Sequence, residues 1–295
     1  MANGPVSTFE GAAARRAAHA RYERPPIFDD TWAIKLLSPR TRWVVRIPML
    51  YRKYRVPAQA RSDGHFALAL VGFRLADELV STAFAAGVRQ YLILSAGMDS
   101  FALRRTDLRP PLRVFELDHP APQAIKRQRI ERAVSSWPTG LELVPIDFET
   151  TTIEEALAMS SFDPKEPAVA SWLNSIAYLS EAATTASLQG LARVLAPGSQ
   201  LIFNYPPKVE LTDAQQATID ALRASVQRRG EPFRDRYEPA HMIDIVESCG
   251  FVVEEHLTEA DMSARFYTGR TIGPHPTMPG RLLIVRRNGD RGTTT

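Results

Sequence analysis

Hydrophobic and polar positions alternate along the middle of the chain in a way that predicts strands separated by helices. Short apolar runs rich in strand-forming residues recur, and the segments between them carry apolar residues at helical spacing. The predicted strands cover residues 91–94, 112–117, 140–146, 168–173 and 200–205. Strands joined by helical crossovers lie parallel in one sheet that helices cover on both faces. We therefore predict an α/β fold with a mainly parallel sheet.

The two ends of the chain depart from this alternation. A long helix predicted over residues 63–86 leads directly into the first strand. Residues 206–238 interrupt the alternation and are interpreted as an inserted lid. Two more strands, predicted over residues 251–256 and 281–286, have no clear helical crossover between them. This arrangement predicts one antiparallel strand near the edge of the sheet.

We interpret residues 1–295 as a single domain. Residues 1–60 carry short helical patterns broken by prolines, and we expect them to form a helical cover. In that cover, the pair Asp29 and Asp30 predicts the start of a helix, because aspartate caps helix N-termini. Residues 259–279 are predicted to be loop-rich, and residues 288–295 form a polar tail.

The turn after the first predicted strand carries the main chemical signal. Ser95, Ala96 and Gly97 break the apolar run, and Asp118 ends the second strand about 20 residues after the glycine. This order, in which a strand is followed by a glycine turn, a helix, a second strand and an acidic residue, is typical of nucleotide-binding folds. The glycine admits a ligand close to the backbone, and the acid accepts hydrogen bonds from ribose hydroxyls.

The same turn has a second interpretation. A full G-x-G-x-x-G fingerprint is absent, because Ser95 occupies the first glycine position and the third glycine is missing. An ordinary strand–helix–strand unit with a tight turn shows the same spacing. We favour ligand binding, because open sheets of this kind bind ligands at the carboxyl ends of their strands.

Composition and charge narrow the function classes. The chain of 295 residues has 44% hydrophobic and 23% charged residues, which is ordinary for a globular protein. A formal net charge of +3 is too small to indicate nucleic acid as a partner. The single cysteine, Cys249, excludes an intrachain disulfide and a cysteine-built metal site. No apolar run reaches the length of a membrane span and no signal-peptide core is present, so we expect a cytoplasmic protein without a membrane partner.

Residues 40–55 mix arginines with Trp43, Tyr51 and Tyr54. Basic residues interleaved with aromatic ones are found on surfaces that bind nucleic acid. We favour instead a helical cover in which arginine side chains lie over apolar surface.

Several stretches resemble one known family. They lie at residues 87–90, 94–99, 115–120, 147, 171–173, 178–179, 196–199, 230–233 and 250–251. Together they resemble the class I S-adenosylmethionine-dependent methyltransferases and, within that class, the bacterial branch of the leucine carboxyl methyltransferase family. The family fold is Rossmann-like, a seven-stranded sheet whose last strand is antiparallel, which agrees with the prediction from the hydrophobic pattern. The family usually has glycine at the position of Ser95, and glycine or an acidic residue near Asn174.

The resemblance implies roles for individual residues in binding S-adenosylmethionine. The turn Ser95, Ala96 and Gly97 would pass the methionine part of the cofactor, and Asp118 would hold the ribose hydroxyls. The remaining implied cofactor contacts are Asp147 and Phe148 at the adenine, Arg74 at the carboxylate, and Ser171 and Trp172 near the reactive methyl group. A surface ion pair of Arg74 with Asp77, one helical turn away, is an equal alternative.

The implied function is O-methylation of a carboxylate or hydroxyl group of a small molecule. Asn174, Tyr178 and Tyr205 are the candidates for the acceptor pocket. A carboxylate acceptor needs no base, whereas a hydroxyl acceptor gains from one. No catalytic base is assigned among the candidate histidines, which are His65, His119, His241, His256 and His275.

Two other functions are weighed against this one. A non-catalytic relative would bind an acidic partner through residues 40–55. A nicotinamide-dependent oxidoreductase would need the glycine fingerprint that Ser95 interrupts. The sequence leaves the methyl acceptor and the oligomeric state open.

Overall fold

The computed structural model describes residues 8–50, 63–227, 233–234, 236–271 and 273–289. A single seven-stranded sheet runs through it. The strands are β1 (Gln90–Leu94), β2 (Arg113–Asp118), β3 (Leu141–Pro145), β4 (Ala168–Trp172), β5 (Gln200–Tyr205), β6 (Phe251–Thr258) and β7 (Arg281–Arg287). Their order across the sheet is β3-β2-β1-β4-β5-β7-β6. The neighbours among β1 to β5 pair in parallel, and β7 is antiparallel to both β5 and β6.

The α-helices of the described residues are numbered from the N-terminus. They are α1 (Thr8–Tyr22), α2 (Pro39–Arg46), α3 (Asp63–Ala85), α4 (Phe101–Arg104), α5 (Pro120–Ala133), α6 (Ile153–Ala158), α7 (Glu181–Val194), α8 (Asp213–Gln227), α9 (Pro239–Ser248) and α10 (Glu259–Phe266). Helices α1, α3 and α5 contribute to the apolar clusters on one face of the sheet, and α6, α7 and α9 to the cluster on the other. The predicted mainly parallel sheet, covered on both faces and with one antiparallel strand near its edge, is confirmed.

Side chains of the central strands alternate between the two faces, as the pleat requires. In β1, Tyr91 and Ile93 pack under α1 and α3, whereas Leu92 and Leu94 pack under α6 and α7. All five residues of β1 are buried. The sequence of a strand that is covered on both faces is a continuous apolar run. The position of β1 was predictable for this reason.

Two predicted elements differ from the structure. The helix expected after Asp30 is only a short 3-10 helix, Ala33–Leu36. The segment predicted to be loop-rich contains α10, which begins with a capping box in which Thr258 and Asp261 cap each other's backbone N–H groups. Helix α10 packs against α3 and β6.

Some sequence predictions lie partly outside the described residues. These are residues 51–55 of the basic, aromatic segment, residues 230–232 of one family stretch and residues 290–295 of the tail. The lid interpretation of residues 206–238 stays a prediction. Its described part includes α8 and a short bridge between Pro207 and Tyr237.

A buried ionic cluster attaches the N-terminal cover to the loop that follows β1. Arg16 of α1 donates from Nε to Asp30 (2.9 Å) and from Nη2 to the carbonyl oxygen of Met98 (2.6 Å). Asp30 also accepts hydrogen bonds from the backbone N–H of Ala33 and from the hydroxyl of Ser100. Arg16 and Asp30 are 4% and 1% exposed, so neither charge is solvated by water. The cluster therefore holds α1 against the glycine turn.

Replacing Asp30 tests this attachment. The variant Asp30→Ala leaves the guanidinium of Arg16 buried without its carboxylate, which costs about 3–5 kcal/mol. We expect the free energy of unfolding in urea to fall by that amount. The neighbouring Asp29 is exposed, and Asp29→Ala is the matched control, with an expected change within about 0.5 kcal/mol. Equal losses in the two variants would contradict the structural role given to Asp30.

Candidate functional site

The turn between β1 and α4 adopts a backbone conformation that is rare outside glycine. Ser95 has φ of 53° and Gly97 has φ of 48°, both in the left-handed region. The turn is held by hydrogen bonds from the N–H of Ala96 to the carbonyl of Leu117 (3.2 Å) and from the N–H of Asp99 to the carbonyl of Ala96 (2.7 Å). Serine in this region carries strain, and such strain is concentrated at functional sites.

Asp118 lies directly against this turn. One carboxylate oxygen accepts a hydrogen bond from the backbone N–H of Gly97, and the other accepts from the N–H of His119 at 2.7 Å. Burial raises the pKa of the Asp118 carboxyl. The structure thus brings together the two parts of the predicted nucleotide-binding motif. A carboxylate has about four acceptor positions, so this group retains capacity for further donors such as hydroxyls.

The end of β3 adds a second carboxylate and an aromatic ring. The N–H of Ile146 donates to the carbonyl of Asp118 (3.0 Å), which keeps the ends of β2 and β3 side by side. Asp147 accepts a hydrogen bond at Oδ1 from the N–H of Glu149 (3.0 Å), and Phe148 is partly buried against the core. The predicted adenine contacts therefore follow the strand next to the one that ends in Asp118.

Helix α1 covers the glycine turn. A Cβ atom added to Gly97 would lie 3.5 Å from the Cβ of Phe9. Phe9 itself packs against the apolar cluster on this face of the sheet. Sequence reasoning placed residues 1–60 only as a general cover and did not single out Phe9, because a lone phenylalanine near the N-terminus carries no spacing signal.

Arg74 is engaged elsewhere. Its Nε lies 2.8 Å from Glu78, and its guanidinium lies over the ring of Phe266 on α10. The predicted ion pair of Arg74 with Asp77 is wrong, because Asp77 binds Arg104 instead. The contacts of Arg74 are on the side of α3 that faces α10, so the structure does not bring it to the glycine turn.

The side chains of Ser171 and Trp172 are buried on the two faces of the sheet and do not lie at the carboxyl-end edge of the strands. Ser171 is 1% exposed, and its hydroxyl pairs with that of Tyr91 at 2.7 Å. Trp172 is fully buried in the core on the opposite face. Contacts of these side chains with a cofactor were predicted from their place at the end of β4. Because side chains alternate along a strand, the two side chains instead point to opposite faces of the sheet and are packed there.

The three acceptor-pocket candidates are separated by the structure. Asn174 is exposed, has φ of 61° and exchanges hydrogen bonds with Asn204 (2.6 and 3.0 Å) at the ends of β4 and β5. The ring of Tyr178 lies 5.1 Å from that of Phe233. Tyr205 is buried and pairs with His256 (2.9 Å), so it faces β6 and not the space beyond β4.

A cavity of about 80 Å³ lies beyond the ends of β4 and β5. Its lining includes Ala177, Pro206, Pro207, Ile219, Phe233 and Pro279, together with His65, Arg223, Arg234 and Arg236. It joins the loop after Asn174 to the segment interpreted as a lid. The sequence did not reveal it, because the histidine comes from α3 and the arginines from a segment far along the chain.

His65 is the titratable group in this lining with the clearest perturbation. Burial, with the nearby charges of Arg15 and Arg236, lowers its pKa to about 4. Its Nδ1 is buried and has no hydrogen-bond partner among the described residues. The imidazole is therefore neutral at pH 7.

The described residues form neither a metal-binding cluster nor a membrane-spanning helix. Within the described ranges, no group of three or more histidine, cysteine, aspartate or glutamate side chains could hold a metal ion. No helix in the same part of the chain has both the length and the apolar character needed to cross a bilayer.

Comparison with known proteins assigns the family. The model of the family described as leucine carboxyl methyltransferase matches residues 10–192, which is more than half of the chain. The chain belongs to the leucine carboxyl methyltransferase family. It is accordingly a methyltransferase, and the resemblance stated from its sequence stretches is confirmed.

Two relatives match this leucine carboxyl methyltransferase family member over two thirds or more of their own length. A protein of Bacillus subtilis, "Putative S-adenosyl-L-methionine-dependent methyltransferase YktD", is 25% identical over 86% of this chain and 89% of its own. A protein of Frankia alni, "Putative S-adenosyl-L-methionine-dependent methyltransferase FRAAL3718", is 32% identical over 68% of this chain and 68% of its own. A solved structure from Thermobifida fusca, titled as a putative methyltransferase, superposes with a TM-score of 0.54 at 17% identity over 87% of this chain and 92% of that one. That likeness concerns the fold.

Adding a methyl group to Gly97 tests the turn. Alanine at φ of 48° is strained, and we expect Gly97→Ala to lower the free energy of unfolding by about 1 kcal/mol. Gly11 lies in α1, and a Cβ there would meet nothing within 4 Å. The control Gly11→Ala should raise stability by about 0.5–1 kcal/mol, because alanine favours helix. Urea unfolding of both variants measures the two changes in the free energy of unfolding, which should have opposite signs. A Gly97→Ala variant that is more stable than the wild type would contradict the turn geometry.

The low pKa of His65 predicts a pH dependence. Between about pH 6.5 and pH 4 the unfolded chain binds a proton at His65 that the folded chain does not, so this residue makes stability fall as pH falls. In the variant His65→Gln this contribution is absent. We expect the stability of the wild type relative to the variant to drop by about 2 kcal/mol from pH 7.5 to pH 4.5. A difference that stays constant across this range would show that His65 is not held neutral.

Proposed function

We propose that this methyltransferase transfers the methyl group of S-adenosylmethionine to an oxygen atom of a small molecule, either a carboxylate or a hydroxyl. S-adenosylmethionine is the cofactor of the protein, in keeping with its family and its relatives. The single observation that carries the assignment of the cofactor site is the carboxylate of Asp118 held against the turn at Gly97. The oxygen specificity and the small size of the acceptor are our inference.

The residues present fit the cofactor. Gly97 adopts the left-handed backbone conformation of the turn without steric cost. Asp118 retains acceptor capacity for two sugar hydroxyls after accepting two backbone N–H groups. Asp147 has a carboxylate oxygen, Oδ2, to which no residue within the described ranges donates, and this suits an exocyclic amine of a base. Phe148 supplies an aromatic surface beside it.

When bound, S-adenosylmethionine supplies a methyl group that its sulfonium already activates. The protein must then orient the acceptor and exclude water. Phe9 covers the glycine turn, and Arg16 holds α1 in place through Asp30 and the carbonyl of Met98. The cavity beyond β4 and β5 offers a separate space for the acceptor. Because β4 lies between β1 and β5, this space adjoins the strand that carries the turn.

The position of the site agrees with the topology of the sheet. The strand order reverses between β1 and β4, since β2 and β3 continue on one side and β5 on the other. Ligands of open α/β sheets bind outside the carboxyl ends of the strands at such a reversal. The family assignment leaves no observation in favour of the nicotinamide-dependent alternative. No described contact supports a non-catalytic binding role for residues 40–50.

Substitution of Asp118 tests the cofactor site. We expect Asp118→Ala to weaken binding of S-adenosylhomocysteine, measured by calorimetry, by about 100-fold or more, since each hydrogen bond to a charged group contributes about 1.5–3 kcal/mol. Circular dichroism should show the same fold as the wild type.

The control replaces an aspartate outside the site. Asp244 is exposed on α9, and Asp244→Ala should keep wild-type affinity for S-adenosylhomocysteine. If folded Asp118→Ala binds as tightly as the wild type, the site assigned here is wrong. If the wild type itself does not bind the ligand, the assignment of the cofactor to this cleft fails.

A further inference from the structure

The cavity beyond β4 and β5 combines apolar walls with concentrated positive charge. Arg223 of α8 and the pair Arg234 and Arg236 belong to its lining. Ile219, Phe233 and three prolines supply apolar surface. None of the described lining residues is acidic. An apolar pocket with a few convergent polar groups is the usual form of a small-molecule site.

Backbone contacts hold two of the arginines at this position. The N–H of Arg234 donates to the carbonyl of Ala177, in the loop after β4, at 2.8 Å. Nε of Arg236 donates to the carbonyl of Pro207, just after β5, at 3.0 Å. Arg236 uses Nε in this contact, and no residue in the described ranges accepts a hydrogen bond from its two terminal nitrogens. These bonds tie the arginines to the strand ends that adjoin the glycine turn.

Among the described residues, these three arginines have few carboxylate partners. Within the described ranges, neither Arg234 nor Arg236 has a carboxylate within ion-pair distance, and Arg223 has only Asp220, at 4.0 Å. Burial, together with the charge of Arg223, lowers the pKa of Arg236. Like charges gathered at an apolar surface disfavour one another unless an anion joins them. The arrangement therefore has the electrostatics of an anion site.

His65 completes the lining on the side of α3. The imidazole is neutral at pH 7, and its Nδ1 is buried without a partner in the described part of the chain. A neutral imidazole adds no further positive charge and offers one donor and one acceptor. It thus adds a directional polar contact beside the guanidinium groups.

We propose that this cavity recognises the methyl acceptor by an anionic group, a carboxylate or a phosphate, bound by Arg236, Arg234 and Arg223, with the apolar body of the acceptor against Ile219 and Phe233. Guanidinium groups bind both of these anions through paired N–H donors. The proposal rests on the proposed function in one respect, since it identifies the cavity as the acceptor site. It narrows the substrate class to acidic molecules with an apolar part.

Binding of defined probes tests this inference without methyl transfer. The probes are 4-phenylbutyrate and phenyl phosphate as anions and 4-phenylbutyramide as a neutral counterpart of the first. Each is titrated calorimetrically into the full-length protein saturated with S-adenosylhomocysteine. We expect at least one anion to bind at least about 10-fold more tightly than the amide, a difference that weakens with added salt. A preference for one anion over the other identifies which of the two chemistries the site takes.

Variants locate the binding to the cavity. Arg236→Gln and Arg234→Gln should each lower affinity for the anion by about 10-fold and leave affinity for S-adenosylhomocysteine unchanged. Arg234 has no described side-chain bond, so its replacement is not expected to disturb folding even if that of Arg236 does. Arg132, exposed on α5, provides the matched control, and Arg132→Gln should behave as the wild type.

Three results would overturn the inference. They are an amide bound as tightly as the anions, wild-type affinity for the anion in folded Arg234→Gln and Arg236→Gln, and no binding of either anion at about 10 mM. The affinity for S-adenosylhomocysteine is measured in the same series and reports separately on the proposed function. A protein that binds this ligand but neither anion keeps the methyltransferase assignment and loses the acceptor class.

Discussion

The carboxylate of Asp118 is the group on which the arrangement of the site depends. It ends β2 and accepts hydrogen bonds from the backbone N–H groups of Gly97 and His119. Parallel pairing of β1 with β2 brings the two strand ends to the same edge of the sheet, and the carboxylate joins them there. The turn, the acid and the next strand end at Asp147 consequently lie in sequence along one edge. In the proposed function, a nucleoside along that edge would contact all three.

The strain at Ser95 belongs to the same arrangement. The left-handed conformation, at φ of 53°, costs a residue with a side chain about 1–2 kcal/mol, whereas glycine adopts it freely. Ser95 therefore carries a cost at this position that glycine would not. The surrounding structure compensates for the strain, since Arg16 and Asp30 hold the following residues through Met98 and Ser100. These hydrogen bonds therefore hold the N-terminal helical cover against the residues that follow the glycine turn.

Much of the fold was predictable from sequence because the central strands are buried on both faces. The bounds of β5 match the prediction, and those of β1 to β4 and β7 lie within one or two residues of it. Helix α10 was missed although Thr258 and Asp261 form a readable capping signal, since the loop-like composition after it dominated. The partners of Arg74 were not predictable, because Glu78 and Asp77 lie at equally suitable helical spacings and only the packing of α4 and α10 decides between them.

The candidate site was likewise predictable from sequence only in part. The glycine turn and Asp118 carry a local spacing signal, and the structure brings them together. Strand alternation would have placed Ser171 and Trp172 in packed layers had it been applied at the end of β4. The arginine cavity has no local signal, because His65 and Arg236 are brought together only by tertiary structure.

The central claim is that the Asp118 carboxylate binds the sugar of the cofactor. A crystal structure of the protein with S-adenosylhomocysteine tests it most directly. We predict both ribose hydroxyls within hydrogen-bond distance of the Asp118 carboxylate oxygens, with the homocysteine part passing Gly97. A nucleoside bound at any other part of the chain, or a ribose whose hydroxyls contact other groups while Asp118 stays apart, would contradict the account.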